Sequence, residues 1–195
     1  MGYVELNRKN TEMLINKTDD AKLDKLKNNR YLIQIEMMSK YVDKNKPLLD
    51  IGIRDGAFLG LLEELGFSDL YGVDVYGRSI ELLNSRGIDG EVADAQTLDL
   101  DKKFDTVMMS HVLEHCPNPD IVLGNVYNHM NDDGILFIEV PIELGDPNPT
   151  GKDAHYYNFH SMEDLLGFLS GKWEILDKFS SNVRLKVVAR RVNNG

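Results

Sequence analysis

The stretch Leu48-Leu49-Asp50-Ile51-Gly52-Ile53-Arg54-Asp55-Gly56 pairs a short apolar run with a glycine-containing turn. A helical pattern follows over residues 57–65 and ends at Gly66. Glycine at a strand-to-helix turn lets backbone N–H groups come close to a ligand, and the helix directs its positive end to the same place. The stretch therefore predicts either a ligand-binding turn or a tight turn that uses glycine only for its backbone angles.

The chain beyond this turn alternates short apolar runs with helical segments. Such alternation predicts a parallel sheet with helices on both faces, and a terminal hairpin adds an antiparallel strand. Ser161-Met162-Glu163-Asp164 has the pattern of a capping box and predicts the start of a helix. The predicted strands are 47–51, 70–75, 89–93, 104–109, 135–140, 173–179 and 183–190, and the other predicted helices are 79–85 and 118–130. Asn131-Asp132-Asp133-Gly134 is predicted to end the second of these helices.

The first 45 residues are the most charged part of the chain. Their apolar residues recur at helical spacing as far as about residue 43. This pattern predicts an N-terminal helical lid over residues 1–45, packed on a domain that occupies residues 46–195. The pattern does not distinguish a lid that only covers the core from a helix that binds a partner or covers the substrate. The apolar stripe consists of Leu23, Leu26, Ile33, Met37 and Tyr41.

Charge and composition exclude several classes of function. The 195 residues carry a formal net charge of −10, which repels nucleic-acid backbones and anionic membrane surfaces. No apolar run approaches the roughly 18 residues of a membrane helix. The single cysteine, Cys116, cannot form an internal disulfide and indicates a cytoplasmic protein. Nothing in the sequence indicates the oligomeric state.

An acidic residue ends the second predicted strand. Asp74 lies about 20 residues beyond the glycine turn, the spacing at which a carboxylate accepts hydrogen bonds from a ribose diol. Nicotinamide and adenosyl cofactors share this feature. The dinucleotide fingerprint G-x-G-x-x-G is absent from residues 52–58, which makes an NAD-dependent oxidoreductase the weaker of the two interpretations.

The segments 50–56, 92–95 and 104–115, with Asp74 between the first two, follow one another in a recognisable order. They resemble the motifs of the class I S-adenosylmethionine-dependent methyltransferases. The resemblance covers residues 47–190 and implies the Rossmann-like fold of that family: a seven-stranded, mostly parallel sheet with an antiparallel terminal hairpin strand and helices on both faces. The N-terminal helical lid predicted from the first 45 residues would be added to it. A further stretch, 155–169, is similar to the segment that follows the fifth strand in small-molecule branches. The matching positions are Asp50, Gly52 and Gly56 for the first motif, Asp74 for the ribose acid, 92–95 for the adenine motif and 104–115 for the fourth-strand motif.

The resemblance implies a function and a set of site residues. The function is transfer of a methyl group from S-adenosyl-L-methionine to a small-molecule acceptor, whose identity the sequence does not indicate. Asp50, Gly52 and Gly56 would line the methionyl end, Asp74 the ribose, and Asp94 with Ala95 the adenine. Ser110 and His111 would border the transferred methyl group. The full set of implied cofactor-binding residues is Asp50, Gly52, Ile53, Arg54, Gly56, Asp74, Val75, Asp94, Ala95 and Ser110.

One position departs from the family pattern. Arg54 stands where the first motif has its middle glycine. Its side chain would obstruct the cofactor, point away from it, or pair with the methionyl carboxylate through its guanidinium. A protein of the same fold that binds S-adenosylmethionine without turnover, or that serves as a scaffold, is therefore the alternative interpretation.

Two histidines are the candidate catalytic residues. His111 follows the fourth strand and His155 opens an aromatic loop, so either imidazole could take a proton from a hydroxyl acceptor. Polar site-lining residues without proton transfer are an equal alternative.

The segment from His111 to His115 also has metal-binding residue types. It matches the H-x-x-E-H pattern of some zinc peptidases, but that motif needs a helix where a strand has just ended. A metal site formed by Glu114, His115 and a loop histidine is a better interpretation than a zinc peptidase. The sequence favours a structural role for Glu114, and the prediction is that no metal is bound.

The loop 142–160 combines glycine and proline with His155, Tyr156, Tyr157 and Phe159. Loops of this length in a compact domain are usually functional or mobile. Aromatic rings provide apolar walls with polar tips, so the loop is predicted to be mobile without ligand and to form the acceptor pocket.

Overall fold

The computed structural model describes residues 31–148, 150 and 154–193. Its central element is a seven-stranded sheet with the strand order β3-β2-β1-β4-β5-β7-β6. Strands β1 to β5 are parallel, and β7 runs antiparallel to both β5 and β6. The strands are β1 Leu48–Ile51, β2 Leu70–Asp74, β3 Asp89–Val92, β4 Phe104–Ser110, β5 Met130–Pro141, β6 Trp173–Ser180 and β7 Arg184–Arg191.

Five α-helices and two short 3-10 turns cover the sheet in the described part of the chain. None of these helices has the length and apolar character that a membrane crossing requires. The helices are α1 Leu32–Met38, α2 Ala57–Glu64, α3 Gly77–Asn84, α4 Pro119–Asn128 and α5 Met162–Phe168, and the 3-10 turns are Ala95–Thr97 and Leu113–His115.

Alternate residues of the central strands divide the core into two layers. Leu49 and Val107 face the layer that contains α4 and α5, whereas Leu48 and Met108 face the layer that contains α1, α2 and α3. Both faces of a parallel sheet are buried in this way, which explains the continuous apolar character of β4 and β5. The predicted fold class is confirmed, including the antiparallel hairpin strand.

The order of the strands determines where a ligand can bind. The chain moves outward from β1 to β3, then returns to place β4 on the other side of β1. The carboxyl ends of β1 and β4 therefore diverge into a crevice, and ligands of open α/β sheets bind in such crevices. In register, Ile51 pairs with Met109 and with Val73, so the turns after β1, β2 and β4 meet at one edge.

Local signals in the sequence explain most element boundaries. Gly56 adopts φ 68° at the residue before α2, and Gly66 adopts φ 89° just after that helix ends. The predicted capping box at α5 is confirmed, because Ser161 accepts from the backbone N–H of Asp164 while Asp164 accepts from that of Ser161.

Two boundaries differ from the prediction. Residues 131–134, predicted only to end the preceding helix, belong to β5. That strand begins at Met130, and its register with β4 shifts between Phe104 and Thr106. Asp133 adopts φ 60° there, so a bulge accommodates the polar residues within the strand. The helix expected to reach residue 43 ends at Met38, where Ser39 donates from its hydroxyl to the carbonyl of Glu36 and competes with the helical hydrogen bonds.

The described part of the N-terminal region is a core element. Gln34, Ile35, Glu36, Met37 and Met38 are all buried in α1, including the two polar residues. Leu23 and Leu26 of the predicted stripe lie outside the described residues. The division at residue 45 stays a prediction.

The aromatic residues of the loop 142–160 have separate roles. Phe159 is fully buried and packs against Tyr157 and Phe168, with ring centroids 4.8 and 6.0 Å away. It also forms an isolated bridge with Ile142, so it anchors the end of the loop to the sheet. The interpretation of Phe159 as a pocket wall is therefore wrong, because its ring fills the core. Tyr156 is 45% exposed.

We expect Phe159→Ala to lower the free energy of unfolding by about 3–5 kcal/mol, since it removes a fully buried ring and leaves a cavity. Tyr156→Ala, the control in the same loop, should change it by less than about 0.5 kcal/mol because that residue is 45% exposed and lies outside the core. Urea unfolding measures both. Equal losses in the two variants would contradict the assignment of Phe159 as the anchor.

Candidate functional site

The turn after β1 holds three residues in the left-handed backbone region. Gly52, Arg54 and Gly56 have φ values of 78°, 58° and 68°. A Cβ atom added to Gly52 would lie 2.5 Å from Cγ2 of Val112, so only glycine allows the turns after β1 and β4 to approach this closely. Arg54 adopts a conformation that normally favours glycine, at a cost of about 1–2 kcal/mol, and its side chain is exposed.

Asp74 ties the turn after β1 to the turn after β2. Its Oδ2 atom accepts from the backbone N–H of Arg54 at 2.9 Å, and its Oδ1 atom accepts from that of Tyr76 at 2.9 Å. The residue is buried, and each carboxylate oxygen keeps a second lone pair for a further donor. The bond from Arg54 also offsets part of the strain of its left-handed backbone.

Asp50 is a buried acid in the middle of β1. Burial, together with the smaller effect of the nearby Asp74 charge, raises its pKa from 3.8 to about 8. The carboxyl group is therefore protonated at neutral pH, so it can donate a hydrogen bond as well as accept one.

Apolar and polar groups surround the end of β3. Val75 and Val92 are more than half exposed, next to Asp74 in the register of β2 and β3. Asp94 accepts from the backbone N–H of Gln96 and so begins the 3-10 turn, in which Ala95 is buried. The structure thus brings the implied residues of the first three turns to one edge of the sheet.

A buried carboxylate organises the end of β5. Glu139 is 1% exposed and contacts Lys186, while Nη1 of Arg184 donates to it at 3.1 Å. Nε2 of Gln34 also donates to Glu139, and at 2.8 Å to the hydroxyl oxygen of Ser110. Burial raises the pKa of Glu139, but the hydrogen bond from His111 and the charge of Lys186 outweigh it and hold the pKa at about 2.

The imidazole of His111 lies between the carboxylates of two acidic residues. It adopts φ 57°, and its Nδ1 atom lies 3.1 Å from Oε1 of Glu114 while Nε2 lies 3.5 Å from Oε1 of Glu139. The hydrogen bonds with Glu114 and then Glu139 raise the pKa of His111 to about 9. The imidazole is therefore positively charged at neutral pH, which makes it a fixed cation beside the crevice.

His155 has a different environment from His111. Its Nδ1 atom donates to Oε2 of Glu143 at 2.6 Å, which leaves a lone pair on Nε2 in the neutral ring. It lines a cavity of about 500 Å³ together with Glu143, Leu144, Asp146, Asn148 and Asn158. Backbone N–H groups of Tyr156 and Tyr157 donate to the carbonyl of Glu114 and hold this loop against the turn after β4.

Sequence reasoning missed Gln34, Glu139, Glu143 and Lys186. A lone acid within the apolar run 135–140 and a lysine among the apolar residues of β7 were the signals that could have indicated the buried ion pair. Gln34 and Glu143 carried no such signal. Cys116 was correctly interpreted as a small apolar residue, since its thiol is buried and burial raises its pKa to about 12.

Comparison with known proteins gives a family match. A family model described as a methyltransferase domain matches residues 25–168 of this chain. A curated relative, the ubiquinone biosynthesis O-methyltransferase of Pelagibacter ubique (strain HTCC1062), is 32% identical over 101 residues. The match covers 49% of this chain and 42% of that relative, so the chain spans well under half of its length.

Solved structures share the fold at low identity. The [4+2]-cyclase SpnF superposes with a TM-score of 0.70 and 17% identity, covering 82% of this chain and 80% of that chain. An S-adenosylmethionine-dependent methyltransferase from Mesorhizobium loti superposes with a TM-score of 0.68 and 16% identity, covering 85% and 100%. At these identities the likeness concerns the fold alone.

The raised pKa of Asp50 gives a prediction about stability. Between its ordinary pKa of 3.8 and about 8, the folded state keeps a proton that the unfolded state releases. Rising pH therefore removes up to about 1.4 kcal/mol of stability per pH unit in this window. Asp50→Asn has no such proton, so the stability difference between the two proteins should change with pH.

Urea unfolding of both proteins at several pH values within this window measures that difference. The contributions of all other titratable groups are common to the two proteins and cancel in the difference. Parallel stability curves for the wild type and Asp50→Asn would contradict a protonated Asp50.

Proposed function

The chain belongs to the class I S-adenosylmethionine-dependent methyltransferase domain family, and on that premise we propose that it transfers a methyl group from S-adenosyl-L-methionine to a small-molecule acceptor. The single observation that carries the proposal is the backbone of Arg54. It adopts the left-handed conformation that normally favours glycine, and its side chain is exposed, so this turn holds an arginine in a backbone suited to the glycine of the family motif.

The residues present fit the cofactor. When bound, S-adenosyl-L-methionine would supply an electrophilic methyl group on its sulfonium sulfur. Asp74 would accept hydrogen bonds from the ribose hydroxyls with its spare lone pairs, and the exposed Val75 beside it would contact apolar parts of the cofactor. Asp94 and Ala95 would bind the adenine, and the residues of the turn after β1, Asp50, Gly52, Ile53, Arg54 and Gly56, would bind the methionyl end.

The acceptor side is proposed to lie between the turn after β4 and the loop 142–160. His155 is the candidate proton acceptor, because Glu143 holds its Nδ1–H and leaves the Nε2 lone pair for an acceptor hydroxyl. His111 would instead supply a positive charge, since Glu114 and Glu139 keep it protonated. Ser110, held by Gln34, would border the methyl group. Alignment of donor and acceptor with exclusion of water would supply much of the acceleration.

A scaffold or other non-methylating role is the second candidate. The observation that favours it is the superposition on SpnF, which is named a [4+2]-cyclase, because a shared fold does not specify the reaction. A cytoplasmic location is proposed as well, from the single cysteine and the net charge of −10.

Calorimetric titration with S-adenosylmethionine, S-adenosylhomocysteine and NAD⁺ tests the proposed function. We expect both adenosyl compounds to bind and NAD⁺ not to bind. Labelled methyl groups should then pass from S-adenosylmethionine to a low-molecular-weight fraction of a cell extract. Binding without any transfer supports the scaffold, and binding of NAD⁺ alone contradicts the proposal.

We expect Asp74→Ala to weaken binding of S-adenosylhomocysteine by about 1.5–3 kcal/mol, or about 10- to 150-fold, because it removes hydrogen bonds to a charged acceptor. Asp101→Ala is the control, since Asp101 is exposed in the loop before β4. Calorimetry gives both dissociation constants. An unchanged constant in a folded Asp74→Ala protein would refute the ribose assignment.

Once an acceptor has been found, we expect His155→Ala to lower methyl transfer about 10²- to 10⁴-fold, the usual contribution of a general base. The affinity for S-adenosylhomocysteine should stay within twofold to threefold of the wild-type value, roughly the scatter of such small effects. The control is His160→Ala, a half-exposed histidine of the same loop. Full turnover by the His155→Ala protein would remove His155 from the acceptor side.

A further inference from the structure

Three side chains with metal-binding atoms converge beside the proposed acceptor cavity. Glu114, His115 and His155 each offer one ligand atom, and these atoms lie within 4.8 Å of one another. Three ligands at about 2.1 Å from one ion stand about 3.4 Å apart in tetrahedral geometry, so small side-chain rotations would close the site. The rings of His115 and His155 already meet edge to face, with centroids 4.6 Å apart.

Both histidines have their Nδ1 atoms committed to donation. Nδ1 of His115 lies 2.9 Å from the carbonyl oxygen of Ala154, which can only accept. Nδ1 of His155 donates to the carboxylate of Glu143. In the neutral rings both Nε2 atoms therefore carry lone pairs, and donation of the other ring N–H to a carbonyl or carboxylate is the usual arrangement of histidines that bind metals.

Glu114 supplies a buried oxygen without a partner. The residue is 1% exposed, and among the described residues none donates a hydrogen bond to its Oε2 atom. A charged acceptor that is buried without a donor destabilises the fold, and a bound cation would remove that penalty. Its other oxygen, Oε1, is held by His111, so all three side chains have a second partner that fixes their orientation.

The backbone holds the three residues together. Glu114 and His115 are consecutive in the 3-10 turn Leu113–His115. The carbonyl of Glu114 accepts from the N–H groups of Tyr156 and Tyr157, the two residues that follow His155. The position of the loop histidine is therefore determined by hydrogen bonds to the ligand-bearing turn.

From these contacts we propose that Glu114, His115 and His155 form a binding site for one divalent transition-metal ion, and that Zn²⁺ fits it best. Two neutral imidazoles and one carboxylate are a ligand set that Zn²⁺ takes when a fourth position stays open. That position would hold water or, where the proposed function holds, an oxygen atom of the acceptor. In the ion-bound state His155 is a ligand and no longer a proton acceptor. The prediction of no metal from the sequence is revised accordingly.

Equilibrium binding of Zn²⁺ to the full chain, freed of any affinity tag, tests the site. We expect one ion per chain. His115→Ala, His155→Ala and Glu114→Gln should each weaken binding by at least about 100-fold, more than the loss of an outer partner, whereas Glu143→Gln should weaken it about 10-fold. His160→Ala should bind like the wild type. Co²⁺ in place of Zn²⁺ should give the intense visible absorption of a four-coordinate site, and His115→Ala should lose it.

His115 is exposed, so its variant keeps the fold and remains informative if Glu114→Gln does not fold. Failure of the wild type to bind Zn²⁺, or equal losses for His115→Ala and His160→Ala, would overturn the site. The affinity for S-adenosylhomocysteine separates this outcome from the proposed function: cofactor binding without Zn²⁺ binding refutes the ion site alone, and Zn²⁺ binding without cofactor binding refutes the proposed function alone.

Discussion

The charge of Glu139 is the interaction on which the proposed acceptor side of the structure depends. A carboxylate buried to this extent costs several kcal/mol unless it is paired and hydrogen-bonded. Lys186, Arg184, Gln34 and His111 provide these partners from β7, from α1 and from the turn after β4. One side chain therefore fixes the mutual positions of three elements that border the crevice. It also keeps His111 charged and, through Gln34, orients Ser110.

Local chemistry explains why the sequence predicts the fold well. The turn at Gly52 and Gly56, the capping box at Ser161 and the hairpin 173–190 each depend on residues that are near one another in the chain. Two partners of Glu139 are distant in the sequence: Arg184 is 45 residues away and Gln34 is 105 residues away. A local residue pattern does not indicate contacts over such separations. The fold could be predicted from spacing, but the polar network beside the site could not.

The loop 142–160 is a second part of the structure whose details could not be predicted from the sequence. Its composition predicted an acceptor pocket with aromatic walls, but composition does not distinguish a ring that lines a pocket from one that fills the core. Phe159 and Tyr157 form an aromatic cluster with Phe168, whereas the polar residues Glu143 and His155 line the cavity. The sequence offered Glu114, His115 and a loop histidine as one alternative, but the hydrogen bonds across the crevice that bring His155 to the other two could not be predicted from it.

The central claim is that this chain keeps the cofactor site of its family although Arg54 replaces a glycine. The left-handed φ of Arg54 and its hydrogen bond to Asp74 support that claim. The most direct measurement is the affinity of S-adenosylmethionine for the wild type and for Arg54→Gly. The account predicts that the wild type binds at least as tightly as the variant, because the turn already has its required shape. Binding by Arg54→Gly together with none by the wild type would contradict it.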